Sequence, residues 1–160
     1  MNAQMMDFVE RMGMALEADG LPRIAGRIFG LLLLSEDCRS LDDLAAELGV
    51  SKGSVSTNAR LLQQRGVLER NSRPSDRRDY YRVQPDLFTH TMAQRLDRWQ
   101  RFHEAIGEAR TSLPIRSRKV LHRLEEYQAA YAFMSEVIHE GLTRWQGKRE
   151  RRSAVAGLHR

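Results

Sequence analysis

Ser54, Ser56, Thr57 and Arg60 fall within one short stretch, and Arg70, Arg73, Arg77, Arg78 and Arg82 follow within the thirteen residues from 70 to 82. Neither set suits covalent catalysis, which needs an activated nucleophile or a general acid and base held together. Hydroxyls that both donate and accept, and guanidiniums that grip two acceptors at once, suit base edges and phosphates instead. If one face of a helix carries the first set and a neighbouring loop the second, the chemistry is the noncovalent reading of a nucleic-acid duplex.

The elements needed to place them so are written around these residues. Ser40 is a good N-cap for Leu41 to Leu48, a stretch with acidic residues in its first turn and with Leu41, Leu44, Ala45 and Leu48 on one face. Gly49 can adopt the left-handed conformation that ends this helix, Val50 can fill the angle that follows, and Ser51 can cap the next helix. That second helix runs from about Lys52 to Arg65 and stops at Gly66. Its apolar positions Val55, Ala59 and Leu62 face inward, which puts Gly53, Ser56, Thr57, Arg60 and Gln64 outward and Ser54 at the edge. Small residues near its N-terminus let a helix enter a major groove about 12 Å wide, and Arg60 can hold a guanine through two hydrogen bonds. Gly53 permits close approach of the backbone to DNA. Asn58, at the inner edge, is expected to bond a neighbouring backbone group rather than a base.

After Gly66 the pattern turns to two short strands, Val67 to Arg70 and Asp79 to Val83, around a turn-rich loop from Asn71 to Arg78. Helix, tight turn, helix and arginine-rich hairpin make a winged helix-turn-helix, and the wing arginines suit phosphates or a narrow minor groove. Asp76 is expected to pair with one of these arginines and fix its direction.

The runs Leu44-Ala45-Ala46-Glu47-Leu48-Gly49-Val50-Ser51-Lys52-Gly53-Ser54-Val55-Ser56, Leu61-Leu62-Gln63-Gln64-Arg65-Gly66-Val67-Leu68-Glu69-Arg70 and Asp76-Arg77-Arg78-Asp79-Tyr80-Tyr81 resemble MarR-type regulators. The Ser-Lys-Gly-Ser-Val-Ser run and the Arg-Arg-Asp-Tyr-Tyr wing resemble the GbsR-like branch in particular. The resemblance implies a homodimeric transcription factor, usually a repressor and sometimes released from DNA by a small ligand. It places base reading on Ser54, Ser56, Thr57 and Arg60 and wing contacts on Arg77 and Arg78, with Arg73 in the variable part of the wing. The expected DNA-facing set is therefore Ser51, Lys52, Gly53, Ser54, Ser56, Thr57, Arg60, Arg73, Arg77 and Arg78.

Flanking sequence is helical. Met5, Phe8, Val9, Met12 and Leu16 form one amphipathic stretch before Gly20, and Pro22 starts another that runs from Ile24 to Leu34. Leu87, Phe88, Met92, Leu96, Trp99, Phe102 and Ile106 recur at helical spacing until Pro114, and Val120 to Trp145 carries a nearly heptad stripe. These stripes exceed what a small winged domain can cover, so a second copy of the chain is the expected cover. A two-fold dimer would set two recognition helices roughly 34 Å apart, matching a palindromic operator. The fold expected is mainly α with a small β-hairpin wing. Residues 1–20 and 85–146 form the dimerisation region, 21–84 the winged domain and 147–160 a disordered basic tail.

The composition agrees: 26 Lys and Arg against 21 acidic residues give +5, and the calculated pI is near 9.9. That balance suits a polyanionic partner. No apolar run is long enough to span a bilayer, so a cytoplasmic protein without membrane partners is expected. Cys38 is the single cysteine, consistent with a reducing compartment, and an incidental loop residue is preferred over an oxidant sensor. His103-Glu104-Ala105-Ile106-Gly107 begins like a zinc-protease helix but has Gly107 where the second histidine belongs. With no phosphate loop or nucleophile elbow, neither an enzyme nor a cofactor is expected. Trp99, Phe102, Tyr127, Tyr131 and Trp145 could cage a quaternary ammonium such as choline or betaine, although aromatics at helical spacing are usually core. The competing functional reading is a winged-helix module that binds an acidic protein instead of DNA; its lack of large apolar anchors on the outward face argues against it.

Overall fold

The computed structural model describes residues 2–74 and 76–157, with the side chains of Arg73 and 153–157 left aside. In chain order the elements are α1 (Ala3–Ala18), α2 (Arg23–Leu33), β1 (Arg39–Ser40), α3 (Leu41–Leu48), α4 (Lys52–Gln64), β2 (Leu68–Arg73), β3 (Asp76–Val83), α5 (Leu87–Ser112) and α6 (Arg118–Gly157). They divide into two compact units, Met1–Leu87 and Phe88–Arg160. This is the mainly helical winged architecture expected from the sequence.

The first unit holds the core. Ile28, Leu31 and Leu32 of α2 meet Leu44 and Leu48 of α3, Val55, Ala59 and Leu62 of α4, and Leu68 and Tyr81 of the sheet, all nearly or fully buried. At roughly 1.5–3 kcal/mol for each large apolar side chain, this cluster is what holds the helix-turn-helix shut. Val9 of α1 belongs to the same cluster, so the N-terminal helix packs within the winged unit. A Cβ at Gly26 would lie 2.4 Å from the Met12 carbonyl oxygen, and one at Gly30 would lie 2.9 Å from the Met12 Cβ. Only glycine allows α1 and α2 to cross so closely.

The three strands are antiparallel in the order β1-β3-β2. Arg39 and Ser40 pair with Tyr81 and Tyr80, a two-residue strand in addition to the two expected from the sequence. Strands β2 and β3 also reach further than the sequence suggests: the eight-residue loop from Asn71 to Arg78 is mostly paired, with an irregularity between Asn71 and Arg73. Cross-strand ion pairs, set out below, flank this extension at its base.

In the second unit α5 and α6 contact each other through rings and polar groups. Phe102 stacks on Tyr131 at 5.4 Å, Trp99 tilts against Tyr131 at 6.3 Å, and Phe88 meets Trp145 edge-on at 5.5 Å. Gly107, in the place of a zincin's second histidine, gives room to Gln128, whose Nε2 would lie 2.8 Å from a Cβ there. No described residue from Phe88 onward is buried. Phe102, Tyr127 and Phe133 remain 54%, 58% and 61% exposed. The segment from Gly147, expected to be disordered, continues α6 as far as Gly157. Its Lys, Arg, Glu and Ala residues are strong helix formers, and no proline interrupts them.

Candidate nucleic-acid interface

The interface begins with two capped helices and the turn between them. Ser40 caps α3 reciprocally: its Oγ accepts from the Asp43 N–H at 3.2 Å, and its own N–H donates to Asp43 Oδ2 at 3.1 Å. Gly49 ends α3 in the left-handed region at φ 65°. Ser51 then accepts from the Ser54 N–H at 3.2 Å and starts α4. Each of these local assignments matches the sequence.

On α4 the inward residues Val55, Ala59 and Leu62 are fully buried. Asn58 donates to the Ser54 carbonyl at 2.8 Å, the backbone role expected of it. Lys52, Gly53, Thr57, Arg60, Gln63 and Gln64 are exposed, and Ser54 and Ser56 are half-buried. The structure thus gathers the predicted helix residues on one surface, with two refinements. Thr57 donates its hydroxyl proton to the Gly53 carbonyl at 3.0 Å, which leaves the oxygen to act as an acceptor. Lys52 is held by Asp42 of α3 at 2.7 Å, so its charge is already matched.

The wing is more self-contained than its arginine count suggests. Arg78 binds both oxygens of Asp76 through Nε and reaches Oδ2 again through Nη2 at 2.7 Å, while the Tyr80 hydroxyl donates to the same carboxylate. These partners, Arg78 first, hold Asp76 well below the usual carboxylate range, and the pairing fixes the Arg78 proton still more firmly. Arg70 pairs with Asp79 at 2.6 Å and Arg82 with Glu69 at 2.7 Å. Arg78, expected to face DNA, is therefore tied along β3 to Asp76 in the free protein. Arg77 is exposed and has no acidic partner among the described residues. Arg73 ends β2, and its side chain lies outside the described residues.

A groove of about 390 Å³ runs between α4 and the wing, lined by Ser56, Arg60, Gln63, Arg70, Asp79 and Tyr81. Burial pushes the Tyr81 phenol up and Asp79 adds to this, while Arg70 and Arg60 oppose them. Arg60 therefore stands beside the sheet. The sequence reading missed this groove and the role of Gln63 in it. For the ion pairs beside it a signal existed: in register Glu69 lies opposite Arg82, and Arg70, opposite Tyr81, has Asp79 as its diagonal neighbour.

Elsewhere the expected sites fare differently. Of the five candidate cage aromatics, Trp99 and Phe102 meet at Tyr131, and Trp145 stands apart from them with Phe88. Trp99 has the Arg95 guanidinium 6.0 Å from its ring, Phe102 is stacked on Tyr131, and Trp145 lies with Phe88 beside a separate cavity of about 320 Å³. Cys38 is half-buried and borders a polar pocket with Arg39, Asp43 and Arg78. Among the described residues no cluster of three His, Cys, Asp or Glu could hold a metal, and no helix is long and apolar enough to cross a membrane.

Comparison with known proteins agrees with this geometry. The MarR family model matches residues 19–79, from the end of α1 into β3. The HTH-type transcriptional regulator MmpR5 of Mycobacterium tuberculosis is 37% identical over 148 residues, 88% of this chain and 86% of that one. The crystal structure of a transcriptional regulator superposes with a TM-score of 0.79 at 33% identity, covering 90% of this chain and 99% of its own. A relative that similar over nearly the whole length, together with the capped helix-turn-helix and its wing, shows that this chain belongs to the MarR family of winged-helix, DNA-binding transcriptional regulators.

Proposed function

We propose that the protein is a cytoplasmic homodimeric repressor of the GbsR-like branch that occupies a palindromic operator. Ser54, Ser56, Thr57 and Arg60 read base edges in the major groove, with Gly53 allowing the approach. Arg77, with Arg73 and Arg78 beside it on the wing, meets the backbone or minor groove. The observation that carries this reading is the outward surface of α4, small and polar at its N-terminal end and ending at Arg60, which has no acidic partner among the described residues. Support for the dimer comes from the second unit, whose described residues include large exposed apolar side chains and none that is buried. A second copy covering that surface is the economical solution. The branch assignment rests on the Ser51 to Ser56 run and the Arg77 to Tyr81 wing. A small ligand that shifts the dimer between DNA-competent and incompetent forms completes the proposal, and the cavity beside Phe88 and Trp145 offers apolar space for it.

The test is binding to DNA from upstream of the protein's own gene over a salt series, comparing wild type with Thr57→Ala/Arg60→Ala. Saturable binding that weakens steeply with salt and loses sequence preference in the variant supports groove reading by α4. Binding indifferent to sequence and to the substitutions favours the protein-interaction module. Sedimentation of the same preparation as an 18.5 kDa species alone at micromolar concentration contradicts the dimer.

A further inference from the structure

Arg27 of α2 lies at a junction of three helices. Its Nε is 2.7 Å from Glu10 Oε1 of α1, and its Nη2 donates to the Leu48 carbonyl at 2.9 Å. Leu48 is the last residue of α3, and its carbonyl is one of those a helix end leaves without an intrahelical partner. The next residue, Gly49, begins the turn into α4. Arg27 is 17% exposed at its side chain, so water competes weakly for these contacts. Glu10 is also held from the far side by Arg23 at 3.0 Å. The stem of Arg27 is confined as well: a Cβ at Gly13 would come within 2.9 Å of its Cγ. The glycine-lined crossing at Gly26 and Gly30 leaves α1 and α2 no slack to absorb a displacement between them.

We propose that Arg27 is a positioning residue for the recognition helix, tying the setting of the turn between α3 and α4 to the position of α1. The guanidinium does what a lysine ammonium does poorly: its planar fork donates to the Leu48 carbonyl in a fixed direction while its Nε edge lies against the Glu10 carboxylate as an ion pair. A displacement of Glu10 pulls on the group that holds the Leu48 carbonyl, and the N-terminus of α4 follows three residues later. The effect on DNA rests on the reading of α4 given above; the mechanical link between α1 and the turn does not.

The test separates the two. Glu10→Gln weakens the α1 end of the link while leaving Arg27, Leu48 and every DNA-facing residue in place. Amide hydrogen exchange of the free protein at Gly49 and Val50, both of which donate to the Ala45 carbonyl, is expected to quicken about threefold or more in this variant. Operator affinity is expected to fall about threefold in Glu10→Gln and about tenfold in Arg27→Met. Adding Glu10→Gln to Arg27→Met is expected to cause no further loss, because the relay is already cut. Arg27→Lys, which keeps the charge and most of the stem, is expected to fall between wild type and Arg27→Met. Wild-type exchange at Gly49 and Val50 in Glu10→Gln overturns the link, as does a full additional loss of affinity in the double variant. If the wild type shows no sequence preference, the DNA reading fails, and the exchange measurement decides the link alone.

Discussion

Two serines begin the two helices of the motif, and comparing them tests whether burial sets the strength of a cap. Ser40 is fully buried. Its hydroxyl accepts from the Asp43 N–H and donates to Asp43 Oδ2 at 2.7 Å, so Ser40→Ala removes both bonds. An N-cap serine replaced by alanine costs about 0.5–2 kcal/mol; a buried cap with a second, charged partner belongs at the top of that range, about 1.5–2 kcal/mol. Ser51 is exposed, and water can replace its hydroxyl, so Ser51→Ala should cost about 0.5–1 kcal/mol. For a chain of this size each kcal/mol moves the thermal midpoint by about 2–4 °C. Ser40→Ala should therefore melt about 3–8 °C below wild type and Ser51→Ala about 1–4 °C below, at matched protein concentration. The pH dependence provides a second arm. The Ser40 hydroxyl, then its N–H, holds the Asp43 carboxyl below its usual 3.8. A depressed carboxylate adds stability above its unfolded value and loses it as pH falls through the folded one. The wild type should lose this contribution on acidification below about pH 4, and Ser40→Ala should lose less of it. Equal destabilisation by the two substitutions, or unchanged acid sensitivity in Ser40→Ala, would refute the reasoning.

Two glycines should respond in opposite directions. Gly49→Ala forces a side chain into the left-handed region at φ 65° with open space around it, so its cost is conformational, about 1–2 kcal/mol in urea unfolding. Gly53 is helical, and a Cβ there would meet nothing within 4 Å; Gly53→Ala should stabilise the free protein by about 0.5–1 kcal/mol and weaken operator binding in the same preparation. Unchanged affinity would show that DNA does not approach this backbone. In the wing, Arg77→Ala should reduce the slope of log affinity against log salt by about 1, whereas Arg82→Ala, already matched by Glu69, should leave the slope near wild type. Equal losses would mean that internal pairing does not sort these arginines.

The motif was legible because its signals are local. Ser40, Gly49 and Ser51 specify caps and a turn within a few residues, and Val55, Ala59 and Leu62 fix the inward side of α4 through helical period alone. The outward residues followed from the same geometry. What resisted reading depends on contacts between elements. The commitment of Arg70 to Asp79, and of Arg82 to Glu69, appears only once β2 and β3 are in register. The pairing of Arg39 and Ser40 with β3 is too short to leave a period-two pattern. Arg27 looks like one basic residue among many in sequence; its bond to Leu48 joins residues 21 apart and follows from the packing of α2 against α3. The continuation of α6 past Gly147 rests on helix propensity, which the charge of that segment obscures in the sequence.

The internal pairing of the wing also bears on how the protein searches. Glu69, Asp76 and Asp79 offset three of the five arginines between Glu69 and Val83, which leaves the hairpin near +2. A wing so nearly neutral pulls weakly on arbitrary duplex, and a phosphate approaching Arg78 must compete with a carboxylate already seated there. Encounters with unrelated sequence should therefore be brief, and residence time should be set by shape and hydrogen bonding at the site rather than by bulk charge. The carboxylates that dilute the wing's attraction thus give it a shorter dwell at the wrong address.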